Sequence, residues 1–129
     1  MGYRSNVEII VYGEPEIYDA FMASMKLIKH RVFSDWEDSD GLFEYFEWER
    51  LHNKTKVKLM SFCVSDIKWY DDFDEIKAWE RDFLPKAEES GLNWELVRVG
   101  EESDDIQHDT GGEDVQYLLY TNTTIERNF

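Results

Sequence analysis

Apolar and polar residues alternate through Asn6–Tyr12, NVEIIVY, with Val7, Ile9 and Val11 on one face, and this period of two predicts a strand. Gly13 breaks it, and Pro15 suits a first helical position. Ile17, Phe21, Met25 and Ile28 then recur at helical spacing, which predicts a helix from Pro15 to about Lys29. Ser34–Gly41 carries turn chemistry. Leu42–Arg50 alternates imperfectly, with aromatics on both faces. A turn at His52–Asn53 and the long strand pattern Thr55–Val64 make the pair a hairpin.

The stretch Ser65–Gly91 carries the second helix, near residues 72–89. Ile76, Trp79, Phe83 and Ala87 form its apolar stripe. Asp71, Asp72, Asp74 and Glu75 crowd its start, where the helix dipole favours anions, and Gly91 suits the position just past its end. Pro85 lies inside the pattern and predicts a kink or a split after about Leu84. Trp94–Val99 is a strand ended by Gly100, and Glu101–Asp114 is an acidic loop with room for a short strand near Ile106–His108. Asp109–Gly112 is a turn, and Val115–Thr121 is the last strand.

The order is strand, helix, strand, strand, helix, strand, then an extra C-terminal strand. That is the split βαβ pattern of a ferredoxin-like α+β fold, an antiparallel sheet with two helices on one face. The other face is expected to stay partly open. The expected core is Val7, Ile9, Val11, Ile17, Phe21, Met25, Leu59, Ile76, Trp79, Phe83, Leu96 and Leu119. With no linker, repeat or low-complexity tail, residues 1–129 read as a single domain.

Charge changes the picture more than composition does. The formal net charge is −15, and it is concentrated in three places. Residues 35–50 carry −6, residues 71–89 carry −5 and residues 101–114 carry −7. Such a chain is repelled by nucleic acid and by anionic membranes, so direct binding to either is not expected and its electrostatic partners should be basic. No apolar run approaches the length of a membrane span, and no signal-peptide pattern opens the chain. The single cysteine, Cys63, excludes an internal disulfide and fits a reducing cytosol. Aromatics make up 16% of the chain, and Tyr45, Phe46, Trp48, Trp69 and Tyr70 exceed what one covered sheet face needs. They are candidates for a homodimer or partner contact across the open face.

Residue patterns specific to catalysis are absent. His30, His52 and His108 share no metal-ligand spacing, and neither acidic stretch follows the template of a calcium loop, so no metal or cofactor is expected. Cys63 lies within a strand, where a small buried thiol is the default. Lys54, Lys56 and Lys58 alternate on Thr55–Val64 and read as a solvated strand edge. The candidate partner-binding residues are therefore the acids: Glu101, Glu102, Asp104 and Asp105 first, then Asp71, Asp72, Asp74 and Glu75, with Glu47 and Glu49 beside them. Carboxylates on helix neighbours or alternate strand positions stand at spacings loosely like those of backbone phosphates, which makes DNA mimicry one way to occupy a basic protein.

The segments GYRSNVEIIVYG, IKWYDDFDEIKAWE and WELVRVGEESDDI are similar to those of small acidic proteins of tailed bacteriophages. The resemblance spans most of the chain. It implies a phage setting and action in the bacterial host cytoplasm, and it transfers no catalytic residues. The expectation is a non-enzymatic binding protein that inhibits a bacterial defence or nucleic-acid-processing protein. The alternatives are an antitoxin or immunity protein against a basic toxin, and an accessory phage enzyme.

Overall fold

The computed structural model describes residues 4–25, 42–52, 55–67, 69–70, 74–102, 104–121 and 125–127. It is an α+β structure with a five-stranded antiparallel sheet and two helices. The strands are β1 (Ser5–Gly13), β2 (Leu42–His52), β3 (Thr55–Ile67), β4 (Asn93–Val99) and β5 (Ile106–Gly111), in the order β2-β3-β1-β4-β5. Helix α1 spans Pro15–Ser24. The second helix, α2, is one run of three parts, Asp74–Lys77, Ala78–Phe83 and Leu84–Glu89. A separate two-stranded sheet pairs β6 (Leu119–Thr121) with β7 (Ile125–Arg127).

Register explains where the core lies. In β1, Ile9 stands opposite Phe62 of β3 and Leu96 of β4, and Val11 opposite Met60 and Trp94. These residues face the helices and form one cluster with Tyr18, Phe21, Ile76, Trp79, Phe83, Leu84 and Ala87. The aromatic centre is close: the Phe62 and Trp79 rings are 4.9 Å apart, Trp79 and Phe83 5.0 Å, and Phe21 and Phe83 5.2 Å, the last two edge-on. Such geometries suit ring quadrupoles.

Pro85 accounts for the middle of α2. Proline cannot donate to the preceding turn, and its ring crowds the carbonyl four residues back. The chain answers with a wider π-type turn over Ala78–Phe83, in which the Leu84 N–H reaches the Trp79 carbonyl. The helix is thus neither ended nor split; its winding changes, and Trp79, Phe83, Leu84 and Ala87 all stay buried.

Several expectations need correction. The extra strand of the main sheet is β5, residues 106–111, rather than Val115–Thr121. Only Leu119–Thr121 of that last segment is a strand, and it belongs to the small sheet. The second sheet face is not left open along its centre. Leu118 and Leu119 are buried on it with Ile10, Tyr12, Leu59 and Val97, and Trp48, Val57, Val99 and Ile125 pack at the margin. Leu59 and Leu119, expected in one core with the helices, belong to this second cluster, and Ile17 is only partly buried at the edge of the first. The lysine-bearing strand β3 is interior, between β2 and β1. Lys56 pairs with Glu49 at 3.2 Å and Lys58 with Asp19 at 2.6 Å, while Lys54 lies outside the described residues. The expected end of helix one near Lys29 also lies outside them.

Candidate functional site

The acidic residues divide by their place on the sheet. Ser5 pairs with Ile67, and Asn6 with Val99, so the C-terminal ends of β3 and β4 meet at the start of β1. The β4–β5 turn, with Glu101, Glu102, Asp104 and Asp105, and the start of α2, with Asp74 and Glu75, follow those two strand ends and lie at one end of the molecule. Glu47 pairs with Met60 and Glu49 with Lys58, whose partners on β1 are Val11 and Gly13, near the opposite end. Three strand spacings and several residues of rise place them roughly 14 Å across and 17 Å along from the β4–β5 turn. Glu47 and Glu49 therefore do not share a surface with the β4–β5 turn, while Asp35, Glu37, Asp38 and Asp40 lie outside the described residues. Asp71 and Asp72 lie outside the described residues.

Not every acid faces a partner freely. Asp105 is half-buried, and both its oxygens accept from Arg98, Nη2 at 2.8 Å and Nη1 at 3.1 Å. Arg98 also donates to Gln107 Oε1 and Ser5 Oγ, each at 3.1 Å, so one guanidinium ties β1, β4, β5 and the turn together. Glu101, Glu102 and Asp104 are exposed on the turn so held, with Glu101 accepting the Arg4 backbone N–H at 2.8 Å. At the other end Glu47 accepts the Tyr18 hydroxyl at 2.7 Å, and Glu49 accepts Lys56.

The second sheet face holds chemistry that alternation along the strands does not reveal. Glu8 and Glu95 are both buried, at 2% and 0% exposure, among apolar neighbours. Burying a carboxylate is costly unless donors surround it. Glu95 accepts the Tyr12 hydroxyl at 2.6 Å and the backbone N–H groups of Leu118 and Leu119, each at 3.0 Å. The Tyr12 oxygen in turn accepts the Gln116 N–H at 2.7 Å. Glu8 accepts Ser61 Oγ at 3.1 Å, Cys63 Sγ at 3.0 Å and Arg127 Nε at 2.9 and 3.0 Å. Two buried carboxylates on neighbouring strands thus fasten Leu118, Leu119 and Arg127 over the sheet. The signal available in the sequence is a glutamate embedded in each of VEIIVY and WELVRV.

Cys63 stays a thiol in this setting. Burial first, and then Glu8 beside it, push it up to about 12, with Arg127 opposing. A protonated thiol donates to Glu8 and is a poor nucleophile. His108 is exposed, its ring 6.3 Å from that of Tyr117. Among the described residues, no three His, Cys, Asp or Glu side chains are grouped as a metal site, and no helix is long and apolar enough to cross a membrane. Compared with known proteins, the chain matches no family model, no curated protein and no solved structure.

Proposed function

We propose that this chain is a non-enzymatic acidic binding protein that docks a basic bacterial protein through the end of the sheet formed by the β4–β5 turn and the start of α2. The observation that carries this reading is the turn itself: Glu101, Glu102 and Asp104 are exposed on a loop tied to the sheet by the Arg98–Asp105 pair. A charged loop tied to its scaffold loses less freedom on binding than an untethered one. The strand order and the helix-bearing connections support a ferredoxin-like scaffold under it, since β1-α1-β2 and β3-α2-β4 interleave as two split βαβ units.

The resemblance to proteins of tailed bacteriophages supports the rest of the proposal: a phage protein acting in the host cytoplasm that occupies a nucleic-acid-binding surface of a defence or nucleic-acid-processing protein. Mimicry of a phosphate backbone is then carried by the acids of the β4–β5 turn, with those at the start of α2 as their partners.

Wet ion pairs are weak singly and act through encounter rate, so a set of substitutions is needed. The triple variant Glu101→Lys, Glu102→Lys and Asp104→Lys leaves the Arg98–Asp105 pair intact and should fold as the parent does. Captured from a bacterial lysate by the parent, the target should release DNA when the parent is added, should bind less as salt rises, and should be lost by the triple variant. Equal capture by both proteins at low and high salt would reject the acidic end as the docking surface. Recovery of one small basic toxin whose toxicity the chain blocks, with no nucleic-acid activity in the target, would favour an immunity protein instead.

A further inference from the structure

We propose that the cleft around Glu8 is a receptor for an arginine side chain of a basic partner, closed in the free chain by its own Arg127. The inference rests on the reading of a basic partner and names a group that partner would bring.

The receptor is built before any arginine arrives. The Glu8 side chain is 3% exposed, whereas that of Arg127 is 39% exposed. The carboxylate is aimed by donors from the neighbouring strand, Ser61 on one oxygen and Cys63 on the other. Glu8 and Cys63 are direct cross-strand partners, so backbone pairing fixes this part of the site. The guanidinium contacts both carboxylate oxygens through Nε, and its Nη2 lies 3.1 Å from the Cys63 sulfur. A planar fork suits these acceptors better than an ammonium does. Asn6, Ser65 and Ile125 line the rest of an open cleft.

The occupant is held more weakly than the receptor. Arg127 ends β7, a strand of three residues whose only paired neighbour among the described residues is the equally short β6. A two-stranded hairpin of that length has little stability of its own. Leu119 is the cross-strand partner of Arg127, but it and Leu118 are also held by Glu95, so the Arg127 side chain can leave the cleft without lifting them. Arg127 stays because it is tethered, and its attraction to Glu8 keeps its guanidinium charged although burial opposes this. An arginine presented by a docked partner offers the same chemistry at a comparable local concentration.

The test uses the full chain carrying Arg127→Ala, titrated at constant ionic strength with N-acetyl-arginine amide, its neutral isostere N-acetyl-citrulline amide, and N-acetyl-lysine amide, and read by amide shifts of Glu8, Ser61 and Cys63. The expected result is saturable binding of the arginine amide, about tenfold or more tighter than the other two, lost in Glu8→Gln/Arg127→Ala and weakened about tenfold in the parent chain. Absence of saturable binding in the folded Arg127→Ala chain, or binding that survives Glu8→Gln, overturns the receptor. If Arg127→Ala does not fold, the parent chain decides. Arginine amide, and not citrulline amide, should then speed hydrogen exchange at Ile125–Arg127 while sparing Leu118 and Leu119, and unchanged exchange overturns the proposal. Salt-dependent capture through Glu101, Glu102 and Asp104 without arginine binding at Glu8 sinks only the receptor; arginine binding at Glu8 without that capture supports the receptor and sinks the acidic-end reading.

Discussion

The Tyr12 hydroxyl joins three parts of the chain: it donates to Glu95 on β4, accepts from Gln116, and sits on the central strand. Tyr12→Phe removes a donor from one buried group and an acceptor from another, so it should cost about 1–3 kcal/mol at neutral pH in denaturant unfolding. Alkaline pH probes the same place. Burial, reinforced by Glu95 and opposed by the Gln116 amide, holds the phenol well above its ordinary range, and burial with Glu8 holds the Cys63 thiol near 12. Both groups therefore lose their protons first in the unfolded chain. Their contribution to stability should be flat below the ordinary thiol value of 9.0 and should fall as pH rises from there toward about 12. Denaturation midpoints measured across that range should decline less steeply for Tyr12→Phe than for the parent, and equal slopes would remove Tyr12 as a contributor.

At the scale of elements, the end of α2 is set by a glycine. The Gly91 N–H bonds the Glu88 carbonyl and the Leu92 N–H bonds the Ala87 carbonyl, the paired bonds of a Schellman cap, and Leu92 and Ala87 are both buried beside them. Gly91 has φ of +96°, and a Cβ built there would meet only Ile17 Cδ1 at 3.8 Å, an ordinary contact. The cost of Gly91→Ala is thus confined to the backbone. It should be about 1–2 kcal/mol in thermal or denaturant unfolding, with no change in spectroscopic signature. A much larger loss would mean that the space beside Ile17 is tighter than the structure gives.

For the whole molecule, the net charge of −15 is the dominant long-range term. Self-repulsion on this scale destabilises the compact state, and salt screens it over about 8–10 Å near physiological ionic strength. Among the described residues, the pairs Lys56–Glu49 and Lys58–Asp19 are exposed enough for salt to screen but contribute little, while Arg98–Asp105 and Arg127–Glu8 are partly or largely shielded and lose less. Added sodium chloride between about 10 mM and 150 mM should therefore raise the thermal midpoint, whereas a fall would show that ion pairs outweigh repulsion. The triple lysine variant at residues 101, 102 and 104 should show a smaller salt effect, because it removes part of the repulsion.

Local pattern determined the parts of this protein that depend on neighbours in sequence. The period of two placed β1, β3 and β4; the stripe Ile76, Trp79, Phe83 and Ala87 placed the buried face of α2; Pro85 marked its irregular turn; and Gly91 marked its end. The order of elements was enough for an α+β sheet with two helices. Tertiary structure decided the rest, because those features depend on residues far apart in the chain. Whether Glu8 and Glu95 face water or a cover rests on where Leu118, Leu119 and Arg127 lie, a long-range packing choice that alternation within a strand does not encode. The same holds for the acids: charge counts grouped them by sequence, but strand register set the β4–β5 turn at the end of the sheet where β3 and β4 finish and sent Glu47 and Glu49 toward the opposite end. Asp105 and Arg127 show why residue type alone could not assign roles, since each is a surface charge by composition and becomes a structural tie only through the partner the fold sets against it.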